Sequence, residues 1–281
     1  MRKRRNIFWY FLAPIVLEWG IAFIVRTVVE MIYMVQNYMQ FEKVMNDKTL
    51  MLEFMNGMLG ILNQYAAEIT TVIAICTIPF LIRMYRKDKK ETQEWWNNKK
   101  QLEIKDYTVI VILAICVCVA ANNFILLSGI TRQNEVYQET SKIIYESPVI
   151  VQFIGLGIIV PIMEEMIYRG LLYRRMREYL PMVSCVLGTA LLFGIYHGNA
   201  VQMIYAALLG SFLAYLFEIF RTVKAPALFH IVANLTSMIF TWVGAYNWIF
   251  SSIFHVTILT VAACVIAAGM FLTLKKKLEL Q

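Results

Sequence analysis

Charge is scarce in this chain: Asp, Glu, Lys and Arg make up 16% of its 281 residues, whereas hydrophobic side chains make up 59%. Soluble globular domains are about one quarter charged, so that class is excluded. Mean hydropathy of +0.60 points to a polytopic membrane protein. Cysteine is also sparse, and Cys76, Cys116, Cys118, Cys185 and Cys264 all lie inside apolar segments rather than polar loops. Neither a secreted disulfide framework nor a zinc knuckle is therefore expected, and the five read as small buried hydrophobes. No internal repeat, low-complexity stretch or linker is visible, which favours one membrane domain over residues 1–281 with its chemistry between about 148 and 240. Arg2 to Arg5 before an apolar run imitate a secretory signal. That run carries Glu18, Arg26 and Glu30 and lacks a small-residue cleavage site, so it is expected to stay as the first helix.

What charge there is has a pattern. The net +7 is concentrated at Arg2–Arg5, from Arg83 to Lys105, around Arg169 to Arg177 and at Lys275–Lys277. Basic clusters that flank apolar spans hold loops on the cytoplasmic side. A basic surface with Trp95 and Trp96 could also meet nucleic acid, but Trp beside Lys is commoner at a membrane surface, so the expected partner is the lipid bilayer and no nucleic acid. About 20 mostly apolar residues cross the hydrocarbon. On that measure the fold class is all-α, a polytopic integral membrane protein of about eight transmembrane helices. They are expected near residues 7–29, 58–82, 107–130, 148–170, 181–197, 201–220, 225–245 and 253–274. Loops 83–106, 171–180 and 221–224 and the Lys-rich tail then face inward with both termini, while loops 30–57 and 131–147 face outward.

Against this apolar background three pairs stand four residues apart: Glu165 with Arg169, Phe193 with His197, and His230 with Asn234. Residues at that spacing share one face of a helix. Ionisable groups at membrane depth usually face a protein interior or watery cavity, so the pairs mark a reaction centre. Glu164 precedes the first pair and points about 100° away from Glu165. It is the free carboxylate, and partial desolvation without a neighbouring cation makes such a group a stronger base. Pro161 lies three residues before it; without an N–H for Gly157, it is expected to bend the helix and open space beside the glutamates. His230 and Asn234 can donate two hydrogen bonds toward one point, as an oxyanion requires. His255 has no partner three or four residues away and reads as structural. Asn122, Asn123, Gln64, Glu68 and Glu218 lie within the expected spans and read as interhelical hydrogen-bonding groups.

The series Glu164-Glu165-x-x-x-Arg169, Phe193-x-x-x-His197 and His230-x-x-x-Asn234, on successive hydrophobic segments, resembles the CAAX protease and bacteriocin-processing family of intramembrane endopeptidases, related to type II CAAX prenyl endopeptidase. The resemblance covers roughly residues 148–240. It implies that Glu164 activates water with help from His197, that Glu165 and Arg169 form a supporting salt bridge, that His230 and Asn234 stabilise the tetrahedral oxyanion, and that Phe193 lines the pocket. The implied substrate is a lipidated, membrane-associated or leader peptide. Short inner loops suggest a bacterial cell membrane, where family resemblance points to bacteriocin or pheromone maturation, or immunity. The rival reading is a non-catalytic membrane immunity or scaffold protein of the same fold, whose mark would be a broken constellation.

Zinc is the alternative cofactor, with Glu164, His197 and His230 as its ligands and one position left for water. No His-Glu-x-x-His run places two histidines on one helix, and a glutamate- and histidine-activated water without metal is favoured. One geometric conflict stands in this reading. His197 falls about 24 Å along the fifth span at helical rise, whereas His230 is only six residues beyond Lys224. Simple depths place the two histidines at different levels.

Overall fold

The computed structural model describes residues 7–44, 47–91 and 102–279. Every regular element among them is helical: α1 (Ile7–Gln36), α2 (Tyr38–Val44), α3 (Lys48–Gln64), α4 (Ala66–Glu91), α5 (Ile104–Ser128), α6 (Ile130–Gln133), α7 (Glu135–Glu146), α8 (Val151–Met176), α9 (Met182–Tyr196), α10 (Ala200–Phe220), α11 (Lys224–Trp242), α12 (Ala245–Ile249) and α13 (Ile253–Glu279). Trp95, Trp96 and the Arg2–Arg5 cluster lie outside the described residues.

Seven of these helices are long and apolar enough to cross a membrane, namely α1, α4, α5, α8, α10, α11 and α13. The chain is an all-α integral membrane protein. The fifth expected span is corrected to a shorter helix, because Pro181 starts α9 and the turn at Gly198 and Asn199 stops it after 15 residues. Such a helix is about 22 Å long, short of the roughly 30 Å hydrocarbon core. The second span is also moved. The apolar run from residue 58 is divided between α3 and α4, with α3 turned so that Phe54 packs on Tyr33 and Phe41. The expected loops 30–57 and 131–147 are largely helical.

Helix α8 is the central element, with 61% of its apolar window buried against 17% for α1. It packs on α4, α9, α10 and α11, while α5 is enclosed by α11 and α13. Cys118 and Cys185 are the buried hydrophobes expected of them, whereas Cys76 and Cys264 sit on exposed helix faces. The charges from Arg169 to Arg177 are not a solvated inner loop. Arg169, Arg174 and Arg175 are buried, because acceptors on neighbouring helices meet them. Arg175 binds Asp88 at 2.6 Å and the Tyr10 carbonyl, and Arg174 binds the Asp88 carbonyl. Arg177 and Tyr173 both reach Glu218, at 3.1 and 2.8 Å. This clamp ties the ends of α1, α4, α8 and α10 together and carries α4 past its expected boundary to Glu91.

Candidate active site

Helix α8 changes register twice. It is π-helical over Val151–Ile159, α-helical over Val160–Glu165 and π-helical again over Met166–Tyr173. Such wide turns cluster at functional sites, and Glu164 and Glu165 sit at the junction. The proline effect falls one residue earlier than Gly157. Val160 N–H donates to the Gly155 carbonyl in the five-residue register, so the next donor should be Pro161, which has none, facing Leu156. Asn234 supplies the missing donor, its Nδ2 lying 3.2 Å from the Leu156 carbonyl. A Cβ at Gly157 would stand 2.7 Å from Leu235 Cδ2, so the glycine allows α11 to approach closely enough for that bond.

The carboxylates divide as their spacing suggests. Glu165, fully buried, accepts from Arg169 Nη1 at 2.9 Å. Arg169 extends its other nitrogen to the Gly210 carbonyl at 3.0 Å and lies 4.6 Å from the Phe193 ring centre. An unexpected partner joins this pair. His230 Nδ1 lies 3.0 Å from the same oxygen, Glu165 Oε1. A carboxylate can only accept, so Nδ1 carries the proton and Nε2 is turned toward Glu164 Oε2, 3.7 Å away. Among the described residues Glu164 accepts no hydrogen bond shorter than this contact.

His197 caps the end of α9, where Gly198 adopts a φ of +77° and lets the chain turn at once into α10. Asn199 then caps α10 by accepting from Gln202 N–H at 2.9 Å. The His197 Nδ1 proton is held on the Phe193 carbonyl at 2.7 Å, which leaves Nε2 open. Phe193 stands between the histidines, with ring centres 4.8 Å from His197 and 5.6 Å from His230. Glu164, Phe193, His197, His230 and Asn234 thus line one cavity of about 310 Å³. Glu165 and Arg169 lie behind its wall.

Both histidines line the same cavity as Glu164, so the inner boundary expected for the seventh span is misplaced. Helix α11 starts inside the protein, with Ala225, Pro226 and Phe229 buried and Val223, just before it, packed against Gly170 and the cluster of Tyr173 and Cys185. Hydropathy cannot register this, since Ala225, Pro226 and Phe229 are as apolar as residues facing lipid.

Of the polar groups expected to bond between helices, Asn123 and Glu218 do so, whereas Glu68 keeps a buried oxygen, Oε2, without a partner among the described residues. Asn123 donates to Thr260 at 2.9 Å, and Glu218 belongs to the clamp. His255 does have a partner at four residues, since its ring stacks on Trp248 and its Nδ1 lies 3.3 Å from Ser251 Oγ. Sequence reasoning missed the His230–Glu165 link, which joins residues 65 apart. It also missed Glu18, Tyr196 and Gln202, which line a second cavity beside Glu164. The available signal is the charge of α1 at Glu18, Arg26 and Glu30, which in the sequence argues only against a secretory signal.

Among the described residues no three His, Cys, Asp or Glu side chains form a group that could hold a metal ion. His230 and His197 both present Nε2, because Glu165 takes Nδ1–H of the one and the Phe193 carbonyl that of the other, the orientation in which a histidine also holds a metal.

The fold and this centre define an integral membrane protein with a buried carboxylate–histidine site. Residues 146–236 carry a domain matching the type II CAAX prenyl endopeptidase Rce1-like family, in agreement with the resemblance drawn from the three motifs. At family level this supports a membrane protease of the CAAX type. No curated protein matches the chain, and no solved structure does.

Proposed function

We propose that the protein is an endopeptidase that hydrolyses a peptide bond of a lipidated, membrane-associated or leader peptide through water activated by Glu164 and His197. The observation that carries the reading is the division of labour between adjacent glutamates: Glu165 Oε1 accepts from both Arg169 and His230 away from the cavity, while among the described residues Glu164 faces the cavity without a hydrogen bond. Charge counting extends it. With both carboxylates ionised, Glu164, Glu165 and Arg169 sum to −1, and a buried uncompensated charge is unfavourable. A second proton on His230, carried at Nε2, makes the four groups neutral and leaves Glu164 free to act as base.

In the proposed reaction Glu164 accepts a proton from water as its oxygen bonds to the carbonyl carbon. The oxyanion is received by His230 Nε2–H and by the second amide hydrogen of Asn234, the first being engaged with Leu156. The C–N bond then breaks, and the leaving nitrogen takes the proton held by Glu164, with His197 relaying it. The products are a carboxylic acid and an amine, between which the remaining proton passes to give a carboxylate and an ammonium. No metal enters this scheme, and both termini are assigned to the cytoplasm from the Lys and Arg bias.

The test uses purified protein in liposomes, given a farnesylated CAAX-type peptide and an unlipidated membrane-anchored leader peptide, with products read by mass spectrometry. Cleavage by the wild type, its absence in Glu164→Gln, and indifference to chelators are expected. Full turnover by Glu164→Gln removes the proposed base; activity lost to a chelator and restored by Zn²⁺ replaces the water mechanism with a metal-bound one.

A further inference from the structure

A second cavity, of about 800 Å³, opens between α1, α4, α7 and α8 and shares Glu164, His197 and Gln202 with the first. The proposed reaction centre therefore stands at the meeting point of two chambers. An extended peptide lying across the centre would place the segments on either side of its scissile bond in different chambers.

The chambers differ in charge. Apart from the reacting groups, the smaller one is walled by apolar side chains and neutral polar groups such as Asn122, Ser141, Tyr145 and Tyr205. Tyr145 lies outside the membrane spans, binds Thr241 at 3.0 Å and is kept neutral by burial, which pushes its hydroxyl up. The larger chamber takes Glu18, Arg26 and Glu30 from α1, in addition to Glu164. These residues follow one another at multiples of four, so they form one stripe along the helix. The face of α1 away from the chamber is lipid-like, with Ile24, Val28 and Met31 exposed. Glu18 is only 5% exposed and lies beside Tyr196, the neighbour of His197. It also shares a small void with Glu164. With Glu164 balanced inside the reacting centre, Glu18 and Glu30 against Arg26 leave this chamber anionic in a low-dielectric setting, where an opposite charge is favoured more than in water.

We infer that the α1 chamber is the subsite for a substrate segment bearing a Lys or Arg side chain, and that the neutral chamber takes the apolar segment on the other side of the scissile bond. The charge stripe then sets the direction in which a peptide crosses the centre. This inference rests on the proposed peptidase reading for its scissile bond, but not for its binding step.

Binding and cleavage separate the two. Fluorescent peptides with one Lys, Ala or Glu placed two to four residues to either side of an apolar core, amino termini acetylated, are titrated into Glu164→Gln protein in liposomes and offered to the wild type. Lys on one side of the core only is expected to tighten binding and raise kcat/KM about fivefold or more over Ala, with Glu the weakest. Glu30→Lys reverses that order, and its folded yield is followed by size-exclusion chromatography. Glu18→Gln lessens the Lys preference and serves as the milder variant should the reversal not fold. Equal binding of the three peptides overturns the subsite, even if all are cleaved. A Lys preference in binding without any cleavage retains the subsite and overturns the peptidase reading. A preference that appears only with a free amino terminus assigns the chamber to that amine and overturns the side-chain assignment.

Discussion

Two charge clusters lie along α8 and its end, one around Glu164 and Glu165 and the other around the buried Arg174 and Arg175 and the partly exposed Arg177. They use the same residue types, yet they are built differently. In the clamp, guanidinium and carboxylate groups from separate helices close on one another, as in Arg175 with Asp88 and Arg177 with Glu218. At the centre one carboxylate is closed in this way and its neighbour is left facing a cavity. Burial of charge marks both regions as consequential, and the unfilled hydrogen-bonding capacity beside open space distinguishes the reactive one.

The comparison can be broken most severely by exchanging charge for amide in each region. Glu164→Gln is expected to lower turnover at least about a thousandfold, within the range of a lost general base, with unchanged yield and thermal midpoint. Asp88→Asn should do the opposite: lower thermal stability, with turnover per folded molecule within about threefold. Similar turnover losses in both variants would erase the distinction between the regions. Glu165→Ala comes next. It strips both Arg169 and His230 of their acceptor and should destabilise the fold by about 3–5 kcal/mol, as removal of one partner of a buried pair does, read as folded yield and denaturation midpoint. Asn234→Ala is expected to reduce kcat about a hundredfold through loss of one oxyanion donor, with a smaller stability loss from the exposed Leu156 carbonyl. A fall in stability with kcat intact would confine Asn234 to the repair of the proline gap. The smallest effect belongs to Asn123→Ala, about 0.6 kcal/mol of stability, the mean for a hydrogen bond between membrane helices, with no change in turnover.

Much of the centre was legible because four-residue spacing is a local property. Glu165 with Arg169 needed only one helix, and the freedom of Glu164 followed from the angle between neighbours. The same locality explains the failures. His230 shares a helix face with Asn234, four residues on, but its hydrogen-bonding partner is Glu165 on another helix. Asn234 was assigned to an oxyanion alone, whereas a register change in α8 gave it a carbonyl to satisfy. Arg174 and Arg175 were read as loop charges because their acceptors, Asp88 and the Tyr10 carbonyl, lie more than 80 residues away in the chain.

By itself, the sequence determined that the chain is helical and belongs in a membrane, and which residues could react there, since hydrophobic length and helical spacing act over one or two turns. Only the tertiary structure decided which polar groups consume one another and which remain open. That depends on where α11 begins relative to α9 and on which helix supplies a donor to a proline-broken turn, and both are settled by contacts between segments that share no local pattern.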